Sequence, residues 1–186
     1  MEMLDVCNEE GFPTGEIVSR QDAHRDGILH RTAHVWVIRK SAKGYDVLLQ
    51  KRSMVKDSYP GLYDTSSAGH IPAGDEPLTS AIRELKEELG IEAEPADLSY
   101  AGMFRIRYEM EFHGKMFRDN EVTRSFVYMK PIDIDTLTLQ KGEVDEVRWF
   151  DVKEVYEEIQ HTGERLCVSP VGYQVLIDYL ASRDKN

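Results

Sequence analysis

Gly69-His-Ile-Pro-Ala-Gly-Asp-Glu-Pro-Leu-Thr-Ser-Ala-Ile-Arg-Glu-Leu-Lys-Glu-Glu-Leu-Gly-Ile91 decides how the rest of this chain is read. Its second half predicts a helix over 77–89. Pro77 suits a first helical turn, where its missing N–H is not needed and its fixed φ is already helical. Asp75 or Glu76 stands where an N-cap belongs, and Gly90 suits the stop. At about 100° per residue, Leu78, Ala81, Ile82, Leu85 and Leu89 share one stripe, which predicts a core-facing side. Glu84, Glu87 and Glu88 gather on the flank of that stripe, with Cβ atoms about 5–6 Å apart on neighbouring turns. At an effective dielectric of about 20, two carboxylates at that spacing repel by roughly 3 kcal/mol. Helix propensity, worth a few tenths of a kcal/mol, does not offset that. A divalent cation relieves the repulsion if the three converge in a pocket. Bulk water relieves it if they do not, and a Glu-rich face taken alone reads as solvated.

Outward from the helix, elements of both kinds alternate. Upstream, Leu4–Asn8 and Gly15–Ser19 flank a turn-rich stretch and predict a hairpin, followed by a helical turn at 21–26. Thr32–Arg39 predicts a buried strand and Tyr45–Arg52 its partner, with 53–63 a loop carrying Pro60 and Gly61. Downstream, strands are predicted at 98–103, 106–112, 121–129 and 145–150, then helices from Asp151 to Ile159 and from Pro170. The order predicts an α/β (α+β) class, with helices packed on a mixed sheet beside an N-terminal β-hairpin. At 186 residues, a single domain over 1–186 is expected, with 1–28 as a hairpin extension.

Composition bounds the function. The 34 acidic against 23 basic residues leave a net charge of −11, which argues against the broad basic surface of a nucleic-acid binder. No apolar run approaches the roughly 20 residues that span a bilayer. The N-terminus does not read as a secretory signal, and Cys7 and Cys167 lie far apart without metal-type spacing. A reduced, cytoplasmic protein is the expectation, without a membrane partner.

The quoted segment resembles the Nudix box. That pattern is glycine, five residues, glutamate, seven residues, Arg-Glu, an aliphatic residue, any residue, Glu-Glu, any residue, glycine and an aliphatic residue. Here it runs Gly69, Asp75, Arg83, Glu84, Leu85, Glu87, Glu88, Gly90, Ile91, with Asp75 the one departure. The resemblance implies an α/β/α sandwich and a Mg²⁺-dependent hydrolase, with Mn²⁺ a substitute, cutting a diphosphate linkage in a nucleoside diphosphate derivative or related pyrophosphate. It implies Glu84, Glu87 and Glu88 as metal ligands, with the Ala68 carbonyl a further one. Arg83 orients a glutamate, and a glutamate of the box or a later loop takes the proton. Mg²⁺ favours octahedral oxygen ligation and retains waters, which suits it to neutralise a diphosphate and place a nucleophile.

Segments outside the box resemble the isopentenyl-diphosphate isomerase branch of the same superfamily. They are Ala23-His24, Leu29-His30-Arg31, the loop over 56–64, Ser67-Ala-Gly-His70 and Asp119-Asn-Glu-Val122. That resemblance implies a histidine cluster with a glutamate pair as a metal site, which draws in His24, His30 and His70, and it makes Glu121 a catalytic candidate. His34, on an apolar strand, reads as structural. Two departures oppose isomerisation: Ala68 stands at the catalytic cysteine position and has no ionisable group, and the spacing from His24 to His30 is one residue short. A ligand-sensing, non-catalytic Nudix module is the remaining alternative, opposed by the intact box glutamates. A small-molecule diphosphate is the expected partner, with a homodimer through the N-terminal hairpin as a further expectation.

Overall fold

A computed structural model describes residues 1–161 and 163–185. Strands β1 (Met3–Cys7) and β2 (Pro13–Ser19) form the predicted hairpin, and α1 (Arg20–Asp26) follows. Ser19 caps α1, its hydroxyl accepting from the Asp22 N–H. Next come β3 (His30–Ser41), β4 (Gly44–Arg52), β5 (Tyr63–Asp64), β6 (Ser67–His70) and α2 (Pro77–Leu89). The chain then runs through β7 (Leu98–Phe112), β8 (Lys115–Tyr128), β9 (Val144–Asp151), α3 (Val152–His161) and α4 (Pro170–Arg183).

One mixed sheet is organised around β3. Its pairing is parallel with β8 from His30↔Glu121 to Val37↔Tyr128, and antiparallel with β6 and β4 on the other side. Successive side chains on a strand point to opposite faces. Ala33, Val35 and Val37 therefore meet Ala81, Leu85 and Leu89 of α2 on one face. Trp36 and Ile38 meet Val152 and Val155 of α3 and Tyr173, Leu176 and Leu180 of α4 on the other. The result is the expected α/β/α sandwich. Each fully buried Leu or Val contributes about 1.5–3 kcal/mol.

Helix α2 has the predicted bounds. Gly90, at φ 71, closes it by donating its N–H to the Leu85 and Lys86 carbonyls. Capping differs from expectation at the other end. Glu76 occupies the N-cap, but its side chain makes no capping bond, and Asp75 lies exposed in the preceding turn. The strands predicted at 98–103 and 106–112 are one strand. A register shift between Tyr100 and Gly102 absorbs the residue that broke the sequence alternation.

Candidate active site

Strand β6 runs directly into the turn that launches α2, so Ala68–His70 and the glutamate flank of the helix face each other. Gly69 makes this approach possible. A Cβ there would stand 2.2 Å from the Glu84 carboxyl carbon, closer than any side chain tolerates. Arg83 donates to Glu84 Oε1 at 2.8 Å and to the His70 carbonyl at 3.1 Å, and stands 3.6 Å from Glu87 Oε2. It thus bridges the helix flank and the end of β6. Glu88 is buried and accepts from the Ala68 N–H at 3.1 Å and the Gln50 amide at 3.3 Å. Glu87, half exposed, stands at the rim.

Desolvation dominates this flank. Burial raises the Glu84 carboxyl from 4.5 to about 7, with Arg83 opposing and Glu87 adding repulsion. Burial also raises Glu88 to about 8, against the Ser67 hydroxyl and the Ala68 N–H, with Glu84 pushing it further up. Two adjacent carboxyls that desolvation holds back from ionising form a donor set suited to a hard cation.

A second grouping lies across His70. The β3–β8 register sets His30 opposite Glu121, and the β3–β6 register sets His70 opposite Thr32. His24 arrives from α1. Donor atoms of His24, His30, His70 and Glu121 all lie within 4.8 Å of one another. The Nδ1 atoms of His24 and His30 sit 2.9 and 2.8 Å from the carbonyls of Arg20 and Ile28. A carbonyl only accepts, so Nδ1 carries the proton in the neutral ring, and each Nε2 lone pair faces the group. The Nε2 atoms of His24 and His70 are 3.4 Å apart, and the buried Nε2 of His30 has no hydrogen-bond partner. His30 stands 3.7 Å from Glu121 Oε1. Burial works against its charge, but Glu121 prevails and raises its pKa, whereas burial and the Arg20 charge hold His70 well below its ordinary value. Burial and the Asp119 carboxylate raise Glu121. A cation among these groups would relieve both the orphaned nitrogen and the strained carboxylate.

The box flank and, from the second grouping, His24, His70 and Glu121 line one cavity of about 770 Å³, with His30 buried behind them. Ala68, Arg83, Glu84, Glu87, Glu88 and Glu121 all border it. Asp75 does not. Lys56 pairs with Glu143 on the cavity wall, whereas Glu146 is bonded to the Tyr63 hydroxyl. Tyr59, from the 56–64 loop that carries part of the isomerase resemblance, lines it too. Glu2, Arg20, Tyr108 and Phe117 also line it and no motif flagged them; the N-terminal segment, α1 and the β7–β8 hairpin deliver them.

A sandwich built around a carboxylate helix, pressed against glycine at the end of a strand, defines the Nudix architecture. The family model for the NUDIX domain matches residues 28–168, and the chain belongs to that family. It is 41% identical over 155 residues to Nudix hydrolase 3 of Arabidopsis thaliana, covering 82% of this chain but only 20% of that relative's length. It is 30% identical to an isopentenyl-diphosphate Delta-isomerase of Dinoroseobacter shibae, over 80% of this chain and 78% of that one. A Deinococcus radiodurans crystal structure shares the fold at TM-score 0.68 and 17% identity, covering 95% of this chain and 98% of its own. No described helix is long and apolar enough to cross a membrane.

Proposed function

We propose that this chain is a cytoplasmic, Mg²⁺-dependent pyrophosphohydrolase that cleaves a diphosphate linkage in a nucleoside diphosphate derivative or related pyrophosphate. The observation that supports the reading is the convergence of the largely buried Glu84 and the buried Glu88 on the Ala68–Gly69 backbone, with Arg83 bonded to Glu84. Glu84, Glu87, Glu88 and the Ala68 carbonyl would hold Mg²⁺, or Mn²⁺ in its place. When bound, the ion supplies charge neutralisation for the diphosphate oxygens and acidity for a coordinated water. Arg83 fixes the Glu84 carboxylate by a charge-assisted bond, limiting its rotamers. Glu121, held by the Thr32 hydroxyl at 3.1 Å, is the candidate to take the proton from the attacking water.

An isomerase reading draws support from the His24, His30, His70 and Glu121 grouping. It lacks a proton donor at residue 68, where a methyl group faces the cavity. We therefore read this histidine grouping as a second cation site in a hydrolase. Measuring phosphomonoester formation from nucleoside diphosphate derivatives and isomerisation of isopentenyl diphosphate in parallel separates these readings. Phosphomonoester formation that is abolished by chelation and by Glu87→Gln or Glu88→Gln supports hydrolysis. Wild-type rates in both variants would refute the box assignment, and tight binding without turnover would favour a sensor. A homodimer through the β1–β2 hairpin remains part of the proposal, and sedimentation of the full chain against a chain lacking residues 1–19 tests it.

A further inference from the structure

The turn between β6 and α2 is not braced by the side chains the box offers for it. Asp75 is exposed, and Glu76 makes no side-chain capping bond. The turn is held instead by β1, which precedes the segment matched by the family model. The Ala73 N–H donates to the Met3 carbonyl at 2.8 Å, and Leu4 bridges to Pro72. The Asp5 carboxylate is buried and accepts from the Gly74 N–H at 2.9 Å and from the Arg31 guanidinium. Arg31, equally buried on β3, donates onward to the Asp75 carbonyl at 3.0 Å. One ion pair thus fixes two consecutive residues just before the N-cap of α2.

Stability alone is a poor reason for this pair. Desolvating two charges offsets most of their attraction, and apolar residues of similar volume often serve a fold as well. Arg31 Nε is moreover buried without a hydrogen-bond partner, an added cost. What an apolar pair cannot supply is direction, here bonds aimed at one N–H and one carbonyl of a single turn. That turn links Gly69 to α2, so it sets how the glutamate flank sits against the Ala68–Gly69 backbone. The approach there has no slack, since Glu84 occupies the space a Cβ on residue 69 would need. Sliding or tilting α2 by about 1 Å would move Glu84 and Glu88 out of register, and a misplacement of that size costs a positioned site on the order of a hundredfold.

We infer that Asp5 is a positioning residue for the box: with Arg31 it fixes Gly74 and Asp75, and through them the register of Glu84 and Glu88 against Gly69. This rests on the hydrolase reading and adds to it a residue of the N-terminal hairpin that stands outside the cavity.

Two variants of the full chain test it. Asp5→Ala/Arg31→Met removes both charges, so neither is left buried without its partner, and the exposed Gly74 and Asp75 can turn their N–H and carbonyl to water. Asp5→Asn keeps an acceptor for the Gly74 N–H and weakens the bond from Arg31. Leu180→Ala, in the core on the opposite side of the sheet, is the destabilised control. Mg²⁺ affinity is measured by calorimetry without substrate, kcat and KM on ADP-ribose at saturating Mg²⁺, and Tm on chelator-treated protein. The double variant should keep a Tm within a few degrees of wild type, bind Mg²⁺ about tenfold or more weakly, and lose kcat with KM little changed. Asp5→Asn should fall between the two, and Leu180→Ala should lose Tm while binding Mg²⁺ as wild type does. Wild-type Mg²⁺ affinity and kcat in the folded double variant overturn the inference. If the double variant does not fold, Asp5→Asn decides: Mg²⁺ affinity equal to wild type overturns the inference, and weakened affinity keeps it. Failure of the hydrolase reading looks different, because wild type itself then turns over no ADP-ribose while the Mg²⁺ affinities still decide the role of Asp5.

Discussion

Replacing Glu88 with glutamine should stabilise the cation-free protein while destroying its activity. The carboxyl at 88 is 6% exposed and lies at about 8 rather than 4.5. At about 1.4 kcal/mol for each factor of ten, holding it ionised without a cation costs on the order of 5 kcal/mol. The sign follows from linkage. Between 4.5 and 8 the native state binds the proton and the unfolded chain releases it, so stability falls as pH rises through that window. Glutamine releases no proton, so the variant escapes this slope. From pH 5.5 to 7.5 it should gain about 2.7 kcal/mol relative to wild type. For a chain of this size that is roughly 5–10 °C in Tm. The amide oxygen at 88 can still accept from the Ala68 N–H and Gln50. The amide nitrogen finds the buried Gln50 Oε1 or Ser67 hydroxyl, neither of which has another partner. The assay is thermal unfolding of chelator-treated protein across that pH range, repeated with millimolar Mg²⁺. The cation should raise the wild-type Tm and close most of the gap. Parallel pH slopes for the two proteins without metal would show that Glu88 is ionised and solvated, and the argument for a buried cation-seeking flank would fall.

Gly69→Ala should displace the Glu84 carboxylate, since the added methyl overlaps it; about 1–3 kcal/mol of stability is lost, with a larger loss in Mg²⁺ affinity by titration. Leu85→Ala, in the centre of the α2–β3 interface, should cost about 2–5 kcal/mol in denaturant unfolding without changing KM in the surviving folded enzyme. Paired His30→Ala and His70→Ala variants should lose a bound transition metal, measured by elemental analysis after Mn²⁺ loading, while retaining Mg²⁺ binding at the box; unchanged Mn²⁺ stoichiometry would refute the second site.

The amino-acid sequence by itself determined helix α2 to the residue, because a proline start, a glycine stop and a 3.6-residue apolar stripe all act within a few turns of chain. It also determined the identity of Glu84, Glu87, Glu88 and Arg83 as a group, since i, i+3 and i+4 spacing places them together whatever the rest of the chain does. Sequence did not resolve β7, where a bulge at Gly102 joins two apparent strands, because pairing with β8 supplies the hydrogen bonds that override the broken alternation. Only tertiary structure distinguished a buried Glu88 from a solvated one, since that depends on β6 and Gln50 closing over the helix flank. The same holds for His24, His30, His70 and Glu121, which come from four separate elements: strand register brings the last three together and α1 delivers His24. His34 shows the limit most plainly. On an apolar strand it reads as core, and its access to the cavity follows from where α4 and the β7–β8 hairpin leave space.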